Sequence, residues 1–581
     1  MRRAEEKTFT THDGTQLFYR YWPAAASRAD RAIVLFHRGH EHSGRLWHIV
    51  DELGLDDFAM FAWDARGHGR SPGERGDSPS FAASVKDIDV FIRCVADEYG
   101  IGVENIAVIA QSVGAVLVTA WAHDYAPRVR CLVLAAPAFK VKLYVPFARS
   151  GLRLMYGLFG NFFLNSYVKA KFLTHDPERI RSYENDSLIT RAISVRVLLA
   201  LYDAAERVVA DAQAIQLPLQ LLISGADWVV HRRPQLEFFE RLGSTVKEQH
   251  VLPGFYHDTL GEKDRRLALD KVRDFIRRMF ARPFQAPSLL HADRQGFTKD
   301  EEARLGAPLP PLSLKTLQFG VLRLSMRTLG KLSEGILLGI STGFDSGSTL
   351  DYIYRNRASG VTPLGRMIDR NYLDSIGWRG IRVRKEHLEC AIAAAARRLK
   401  GQERTLRIAD IAAGHGRYVL EAVEKLPWRP EAVLLRDYSD INVRDGAALI
   451  AEKKLGDVAC FVKGDAFDEE SVASIVPRPT VAIVSGLYEL FPDNVRVTAS
   501  LRGLAHAVEP GGFLIYTGQP WHPQLELIAR TLTSHRDGRP WVMRRRTQGE
   551  IDQLVASVGF NKLEQWTDDW GIFTVSLAVR A

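Results

Sequence analysis

The sequence predicts two different α/β domains joined end to end. In each half of the 581-residue chain, short apolar runs alternate with amphipathic stretches, which is typical of a mainly parallel sheet covered by helices. The segment from Pro283 to Pro311, rich in proline, glycine and charge, separates the two alternations. Because neither alternation repeats the other, we expect a fusion rather than a duplication. We assign 1–285 to the first domain, 286–345 to a linker with an amphipathic helical segment, and 346–581 to the second domain.

The first domain contains apolar runs of strand length, separated by helical patterns. The predicted strands are Ala32–His37, Phe58–Asp64, Asn105–Gln111, Val129–Pro137, Leu217–Ser224 and Lys247–Leu252. The predicted helices between and after them are Ser80–Tyr99, Val113–Tyr125 and Lys263–Ala281. The pattern breaks at about 139–211, which we expect to be wholly helical and to form a cap inserted between two strands of the sheet.

The second domain repeats the alternation but ends differently. Its predicted strands are Arg407–Ala412, Ala432–Asp437, Val458–Lys463, Thr480–Ser485 and Gly512–Thr517, followed by Lys562–Thr567 and Ile572–Val579. The turn Asp568–Gly571 joins the last two strands into a hairpin. We therefore expect a parallel sheet that an antiparallel hairpin closes, unlike the sheet of the first domain.

Composition and charge narrow the class of protein. The chain carries 77 Lys and Arg against 69 Asp and Glu, a net charge of +8 that favours anionic neighbours. With no RNA-binding motif and no zinc finger, we expect no nucleic-acid partner. The four cysteines have no paired spacing, so we expect neither a disulfide nor a metal site.

The chain also lacks the features of an exported or membrane-spanning protein. The first seven residues, Met-Arg-Arg-Ala-Glu-Glu-Lys, do not open a signal peptide, and no uncharged run reaches about 18 residues. We therefore expect a cytoplasmic protein, with peripheral contact at an anionic membrane. Two segments favour that contact: 140–175 and 312–331 combine Leu, Phe and Tyr with Lys and Arg.

A serine lies between a predicted strand and a predicted helix. Ser112 is the centre of Ala110-Gln111-Ser112-Val113-Gly114, and a nucleophile elbow needs small residues two positions before and after the serine. The small residue before it is Ala110 rather than glycine. Taken alone, the segment is equally compatible with an ordinary turn of small residues.

Further residues follow the serine in the chain order that an α/β-hydrolase uses. Asp227 follows the strand Leu217–Ser224, and His257 follows the strand Lys247–Leu252. The loop His37-Arg38-Gly39-His40 follows the first predicted strand. We interpret the neighbouring Asp258 and His231 as surface or lining residues.

Two longer segments then resemble a known family. They are His37-Arg38-Gly39-His40-Glu41-His42-Ser43-Gly44-Arg45 and Asp64-Ala65-Arg66-Gly67-His68-Gly69-Arg70-Ser71, and both are similar to the monoglyceride lipase and lysophospholipase group of α/β-hydrolases, of the serine aminopeptidase S33 type. The resemblance covers about residues 8–282. It implies that Ser112 is the nucleophile, that His257 is the base and that Asp227 orients the histidine.

The same resemblance implies where an oxyanion would bind. The family's oxyanion donors fall on the backbone N–H groups of Gly39 and Val113. Arg38 and Ala110 stand where the family usually has glycine, and both leave these donors in place. We expect Arg38 to narrow the acyl pocket.

The second domain carries a glycine loop after its first predicted strand. Asp410-Ile411-Ala412-Ala413-Gly414-His415-Gly416-Arg417 resembles the first motif of class I methyltransferases, an acidic residue followed by Gly-x-Gly-x-Gly, with Ala412 replacing the first glycine. The loop must turn tightly so that its backbone passes close to the cofactor. The spacing does not match the dinucleotide-binding fingerprint, which disfavours NAD.

Acidic residues follow the next two predicted strands. Asp437 ends the second strand, where an acidic side chain can accept from ribose hydroxyls, and Asp465-Ala466 follows the third, where the family contacts adenine. The resemblance to class I methyltransferases covers about residues 350–581 and implies that Asp410, Ala412, Gly414, Gly416, Asp437, Asp465 and Ala466 bind S-adenosyl-L-methionine. It matches a methyltransferase group found fused to such hydrolases, and the most distinctive stretch is Gly518-Gln519-Pro520-Trp521-His522-Pro523-Gln524.

The methyl acceptor stays open at this stage. Tyr488, Glu489 and His522 could face it, and structural roles for all three are equally compatible with the sequence. We expect a bifunctional enzyme, a serine ester hydrolase fused to an S-adenosylmethionine-dependent methyltransferase that acts on a lipid-like metabolite. The alternative is a hydrolase whose second domain binds the cofactor only to regulate it. A nucleic-acid methyltransferase is disfavoured because the positive charge is spread over both halves.

Overall fold

The structure, a computed structural model, describes residues 2–25, 29–166, 168–536 and 538–581. Its internal contacts divide the chain into two compact units, Met1–Pro287 and Ser288–Ala581, which we call unit 1 and unit 2. The segment 286–345, expected to contain a linker, lies almost entirely in unit 2. There it folds into helices α9, α10 and α11, whose bounds are given below.

Unit 1 is built around a mainly parallel sheet. Its strands are β1 (Glu5–Thr10), β2 (Gln16–Trp22), β3 (Ala32–Phe36), β4 (Ala59–Trp63), β5 (Ile106–Gln111), β6 (Cys131–Ala135), β7 (Phe163–Asn165), β8 (Ala192–Ser194), β9 (Leu219–Ser224) and β10 (Lys247–Leu252). The main sheet has the order β1-β2-β4-β3-β5-β6-β9-β10, while β7 and β8 pair separately. The β1–β2 and β2–β4 pairs are antiparallel, and the remaining pairs of the main sheet are parallel.

Helices cover both faces of this sheet. They are α1 (Trp47–Glu52), α2 (Phe81–Tyr99), α3 (Val113–Tyr125), α4 (Ala148–Phe159), α5 (Pro177–Asn185), α6 (Val195–Ala210), α7 (Arg232–Arg241) and α8 (Arg266–Phe280). Successive residues of a strand point to opposite faces. Val34 and Phe36 of β3 therefore pack with α2, α3 and α6, while Ile33 and Leu35 pack with α1 and α8.

The insertion at 139–211 is not wholly helical, which corrects the sequence-based expectation. Besides α4, α5 and α6 it contains the two-stranded ribbon β7–β8, in which Phe163 pairs with Ser194. Each of these strands has three residues, too few to produce a recognisable alternation. The N-terminal hairpin β1–β2 was also absent from the predicted strands, because most of the β1 side chains are polar and exposed.

Unit 2 contains a second sheet of different topology. Its strands are β11 (Arg407–Asp410), β12 (Ala432–Asp437), β13 (Ala459–Lys463), β14 (Val481–Val484), β15 (Phe513–Gly518), β16 (Phe560–Thr567) and β17 (Thr574–Arg580). The order is β13-β12-β11-β14-β15-β17-β16. The pairs from β13 to β15 are parallel, and β17 runs antiparallel to both β15 and β16. The predicted closing hairpin therefore forms one edge of the sheet.

The helices of unit 2 fall into an N-terminal group and a group that alternates with the strands. They are α9 (Phe297–Gly306), α10 (Leu314–Thr328), α11 (Glu334–Thr342), α12 (Gly347–Arg355), α13 (Pro363–Leu373), α14 (Ile376–Gly401), α15 (Arg417–Lys425), α16 (Asp440–Glu452), α17 (Glu469–Ala473), α18 (Asn494–Ala507), α19 (Leu525–Thr531) and α20 (Gln548–Ser557). One face of the sheet packs on α14, α15 and α16, and the other on α17, α18 and α20. Residues of α9, α12, α14 and α19 share a further apolar cluster, which anchors the N-terminal helices.

Within the described ranges, no helix combines the length and the apolar composition that a membrane crossing requires.

Candidate active sites

Ser112 occupies the sharp turn between β5 and α3. Its backbone has φ 55° and ψ −114°, a strained conformation for a residue with a side chain. The Ser112 N–H donates to the carbonyl of Ala135 at 3.0 Å, and the Ser112 carbonyl accepts from Ala138 at 3.1 Å. These bonds to the end of β6 and the loop after it hold the turn. At Gly114 a Cβ would lie 2.4 Å from the backbone oxygen of His37, so only glycine lets α3 begin here.

The structure brings the three predicted triad residues together. The Ser112 Oγ lies 2.7 Å from the His257 Nε2, and the His257 Nδ1 lies 2.8 Å from the Asp227 Oδ2. The other Asp227 oxygen accepts from the N–H groups of Val229 and Val230, at 2.7 and 3.0 Å. Burial raises the pKa of Asp227, but the His257 ring and these hydrogen bonds lower it more, so its pKa lies below the ordinary value. The carboxylate therefore stays ionised while it orients the histidine.

The two predicted oxyanion donors lie next to each other. A Cβ placed on Gly39 would lie 3.0 Å from the Val113 Cγ2, so the loop after β3 touches the first residue of α3. In the part of the chain that the structure describes, neither backbone N–H group donates to another residue. Both N–H groups therefore have no partner among the described residues, as the donors of an oxyanion site require.

A buried ionic network lies behind the triad. Arg38 forms a two-bond ion pair with Glu41, at 2.7 and 2.6 Å, and Arg179 of the cap forms one with Asp258, at 3.1 and 2.8 Å. The Arg179 guanidinium then outweighs the effect of burial and holds the pKa of Asp258 well below its usual range. The interpretation of Asp258 as a surface or lining residue is therefore wrong, because the carboxylate is 2% exposed and paired.

His231 is exposed, as expected, and precedes α7. The Arg38 side chain points into the ion pair with Glu41 and lies over the ring of Tyr183, with 5.5 Å between the guanidinium carbon and the ring centroid.

Unit 2 contains a cavity of about 870 Å³ at the carboxyl ends of β11, β12, β13 and β14. Six of the predicted cofactor residues line it: Ala412, Gly414, Gly416, Asp437, Asp465 and Ala466. Ligands of open α/β sheets bind at this edge. The N-terminal end of α12, contributed by Ser346, Gly347 and Ser348, also lines the cavity, which no sequence motif indicated.

Asp410 is the exception among the predicted residues. It is fully buried, does not line the cavity, and accepts hydrogen bonds from the Ala412 N–H at 3.2 Å and from the Tyr418 hydroxyl. Burial raises the pKa of Asp410 to about 7. The position of Asp410 therefore does not allow direct contact with a cofactor. Asp410 instead supports the glycine loop from the side that faces away from the cavity.

The glycine loop meets the tip of β12. Gly414 has φ +58° and donates its N–H to Asp437 at 3.0 Å. Gly416 has φ +73°, and a Cβ there would lie 2.4 Å from the Leu435 Cδ1, so its packing requires glycine. Asp465 accepts from the Phe467 N–H at 2.8 Å and faces the same cavity.

None of the three candidate acceptor residues lines this cavity. The Tyr488 hydroxyl bonds the Ser500 hydroxyl at 3.0 Å, and Glu489 pairs with Arg384 at 3.2 Å. His522 accepts from the Gln524 N–H, and burial lowers the pKa of His522 to about 4. All three are buried, so the structure favours structural roles. Sequence reasoning missed three arginines that do line the cavity, namely Arg384, Arg496 and Arg536.

Fold and sites together define a fusion of an α/β-hydrolase domain with a class I methyltransferase fold, and comparisons with known proteins agree. A family model described as "Serine aminopeptidase, S33" matches residues 27–264, and one described as "Putative methyltransferase" matches residues 272–580. The chain belongs to the latter family, whose model spans more than half of its length.

Some relatives resemble the whole chain, and others resemble its first half. The chain is 57% identical to the uncharacterized protein YnbC of Escherichia coli (strain K12), over 99% of this chain and 98% of that protein. A monoacylglycerol lipase of Mycolicibacterium smegmatis is 25% identical over 47% of this chain and 96% of its own length. The phospholipase YtpA of Bacillus subtilis is 23% identical over 44% of this chain and 98% of its own length. The predicted fusion of a hydrolase with a methyltransferase domain is thus confirmed.

Proposed function

We propose that the chain is a bifunctional enzyme, a serine hydrolase of lipid-like esters fused to an S-adenosylmethionine-dependent methyltransferase. The hydrolase part of this proposal rests on the two contacts that link Ser112 to His257 and His257 to Asp227. A serine hydroxyl is a weak nucleophile at its free pKa, and His257 is placed to remove its proton as attack occurs. The free N–H groups of Gly39 and Val113 would stabilise the oxyanion, each by roughly 2.7–4 kcal/mol.

The relatives and the cap support an amphiphilic ester as the substrate class. A monoacylglycerol lipase and a phospholipase are among the proteins that unit 1 resembles. The cap exposes apolar side chains, with Phe147 88% and Phe159 74% exposed. An amphiphilic ester, with an acyl chain and a polar headgroup, therefore suits unit 1 better than a small polar ester.

A decisive experiment labels Ser112. The wild type and Ser112→Ala are treated with a fluorophosphonate probe and assayed with p-nitrophenyl butyrate. We expect both labelling and turnover to disappear in Ser112→Ala and to persist in Ser187→Ala, which alters an exposed serine of the cap. Undiminished labelling of Ser112→Ala would exclude this serine as the nucleophile.

The residues of unit 2 fit S-adenosylmethionine. The cavity offers a carboxylate at the tip of β12 for ribose hydroxyls, a glycine loop with an open backbone at Gly414, and apolar walls from Ile411, Leu487 and Phe467. The Ser485 hydroxyl lines the cavity and is buried without a hydrogen-bond partner in the described part of the chain, so a bound ligand could satisfy it. The cofactor would supply an electrophilic methyl group. The protein would supply binding and in-line orientation.

Product analysis separates this proposal from a purely regulatory cofactor domain. A lipid extract is incubated with S-adenosylmethionine carrying a labelled methyl group and with wild type, Ser112→Ala or Asp437→Ala. We expect a labelled product with the wild type and its loss in Asp437→Ala. Cofactor binding without any labelled product would leave unit 2 as a regulatory domain.

We also propose that the cap contacts a membrane surface. Its helix α4 exposes Leu154, Leu158 and Phe159 on one side. On this helix Arg149 and Arg153 pair with Asp203 of α6, which weakens the electrostatic part of the sequence-based argument. Apolar insertion is therefore the main contribution that we expect.

A further inference from the structure

Two arginines that line the cavity of unit 2 have no carboxylate partner among the described residues. Arg496 lies in the first turn of α18, and Arg536 lies in the loop after α19. Among the residues that the structure describes, no carboxylate oxygen lies within 4.0 Å of either guanidinium. Other cavity arginines differ, since Arg417 binds Asp351 and Arg384 binds Glu489. An unpaired guanidinium in a cavity is a binding group for an oxyanion.

An apolar surface lies beside Arg536. Arg536 stacks over the ring of Phe491, with 5.0 Å between the guanidinium carbon and the ring centroid. Phe491 in turn contacts Phe467, with ring centroids 4.6 Å apart, and Leu490 lines the cavity next to them. A ligand that suits this corner combines a negatively charged oxygen group with an apolar body.

The carboxylates of the cavity are held by other groups. Asp345 accepts from Ser534 and from the His535 N–H, each at 2.6 Å. Asp437 accepts from the N–H groups of Gly414 and Ser439, both at 3.0 Å. Neither acid lies within 4.0 Å of the Arg496 or Arg536 guanidinium, and Asp437 stands with the glycine loop at the predicted cofactor end of the cavity.

We propose that Arg496 and Arg536, with Phe491, bind the methyl acceptor of unit 2, and that this acceptor is an oxyanion with an apolar body. This inference rests on the proposed methyltransferase function. The volume of about 870 Å³ lies near the upper end of the range for a single small-ligand site, which leaves room for an acceptor beside the cofactor.

An oxyanion acceptor also suits a cavity that lacks the candidate acceptor-facing residues. Tyr488, Glu489 and His522 do not line it, and the histidines that do, His415 and His535, each lie within 4.0 Å of a carboxylate. A carboxylate or phosphate oxygen needs no base. A lone pair of the acceptor oxygen forms the new oxygen–carbon bond. The carbon–sulfur bond to the methyl group breaks, and its electron pair stays on sulfur. The negative charge on that oxygen and the positive charge on the sulfur are both neutralised. The chain then has only to orient the anion, which is what Arg496 and Arg536 can do.

Calorimetric titration of the full-length chain tests the proposal. The probes are octanoate, octyl phosphate and the neutral octanamide, each titrated with and without S-adenosylhomocysteine. The variants are Arg496→Gln and Arg536→Gln, and the control is Arg502→Gln, an arginine of the same helix that lies outside the cavity and pairs with Glu469. The acyl probes also bind unit 1, equally in the wild type and in all three arginine variants. This contribution is subtracted because none of the substitutions changes it.

We expect at least one anionic probe to bind about tenfold or more tightly than octanamide, the effect of a charge-assisted contact. Arg496→Gln and Arg536→Gln should each remove most of that preference, while Arg502→Gln keeps it. Tighter binding of octanoate assigns a carboxylate acceptor, and tighter binding of octyl phosphate assigns a phosphate ester. Equal binding of anions and amide, or insensitivity to both substitutions, overturns the proposal.

Titration with S-adenosylhomocysteine alone distinguishes failure of the acceptor proposal from failure of the proposed methyltransferase function. If both arginine variants bind it as the wild type does, the cavity holds the cofactor independently of the acceptor site, as we expect. A loss of about tenfold in both variants would assign the arginines to the carboxylate of the cofactor itself and refute the acceptor proposal. No binding even by the wild type would refute the methyltransferase function, whatever the anions do.

Discussion

The side-chain amide of Gln111 donates to the backbone oxygen of His257 at 3.2 Å. The same amide nitrogen lies 3.2 Å from the Asp258 Oδ1. Gln111 directly precedes Ser112, so a second link, besides the contact between Ser112 and His257, ties the strand that carries the serine to the loop that carries the histidine. Asp258 extends this link to Arg179 in the cap. The position of the cap helix α5 and the alignment of the triad are therefore connected through buried polar contacts.

Gln111→Met tests this link. The substitution keeps the length of the side chain and removes its hydrogen bonds, while Asp258 retains its pair with Arg179. Each lost hydrogen bond costs roughly 0.5–1.5 kcal/mol, so we expect kcat with p-nitrophenyl butyrate to fall about tenfold and KM to change little. Gln249→Met, which alters an exposed glutamine of β10, is the control. Unchanged kcat would mean that the serine and histidine are aligned without Gln111.

His48 makes the stability of unit 1 depend on pH. Its Nε2 bonds the Leu260 carbonyl at 2.8 Å, and its Nδ1 lies 3.1 Å from an Arg179 nitrogen, an arrangement that suits the neutral ring. Burial and the Arg179 charge lower the pKa of His48 to about 4. As pH falls below the unfolded value of about 6.5, the unfolded chain takes up the proton first, so stability falls between about pH 6.5 and 4.

The measurement is the calorimetric Tm between pH 7.5 and 4.5. We expect the Tm of the wild type to fall with pH, and the fall to be shallower in His48→Gln because this titrating group is gone. Other histidines whose pKa is also lowered by desolvation, His37, His40 and His68, keep the slope from vanishing. His250→Gln, at a partly exposed position, serves as the control. Parallel curves for wild type and His48→Gln would show that His48 does not contribute.

Sequence patterns identified the residues that stand at the ends of strands. Ser112 lies at an elbow that needs small neighbours, the strand before Asp227 is largely apolar, and His257 follows Pro253-Gly254 after the predicted strand Lys247–Leu252, so each residue could be placed on the sheet from local sequence alone. The partners of the ionic network could not be predicted in this way. Arg179 and Asp258 are 79 positions apart, and no local pattern indicates that a cap helix brings them together.

Sequence patterns do not indicate which charged residues of unit 2 are buried. Arg544, Arg545 and Arg546 are consecutive arginines and would ordinarily be taken for a solvated surface, yet each is less than 5% exposed. Arg546 donates to the Tyr488 carbonyl at 2.5 Å and to the Phe491 carbonyl at 2.8 Å. These bonds fix the loop that carries Leu490 and Phe491 into the cavity, a tertiary role that composition cannot reveal.

Asp437→Asn tests the cofactor site of unit 2. The amide has nearly the same shape, but it presents one acceptor oxygen and no charge to the ribose hydroxyls. Losing one or two such hydrogen bonds costs roughly 0.5–1.5 kcal/mol each, so we expect the affinity for S-adenosylhomocysteine to fall about tenfold in calorimetry. Asp457→Asn, at an exposed position away from the cavity, is the control. Identical affinity in Asp437→Asn and wild type would remove Asp437 from the site.

The cap should bind vesicles mainly through its apolar side chains. Phe147, Leu158 and Phe159 are each more than two-thirds exposed, whereas Arg149 and Arg153 on the same helix pair with Asp203. Burying exposed apolar area contributes roughly 25 cal/mol per Å², and paired charges add little attraction to an anionic surface. We therefore expect the triple change of Phe147, Leu158 and Phe159 to serine to reduce co-sedimentation with vesicles several-fold. Changing Arg149 and Arg153 to glutamine should reduce it much less.

Comparing vesicle compositions and salt concentrations tests whether apolar side chains contribute more to vesicle binding than charged side chains. Vesicles of zwitterionic lipid and of lipid with an anionic fraction are sedimented with the full-length chain at low and high salt. If insertion of the cap dominates, binding to both vesicle types survives high salt, because salt screens charge but does not weaken apolar burial. Val476→Ser, an exposed apolar position of unit 2, leaves binding unchanged. Binding that disappears at high salt and ignores the triple serine change would instead place the contact on charged residues outside α4.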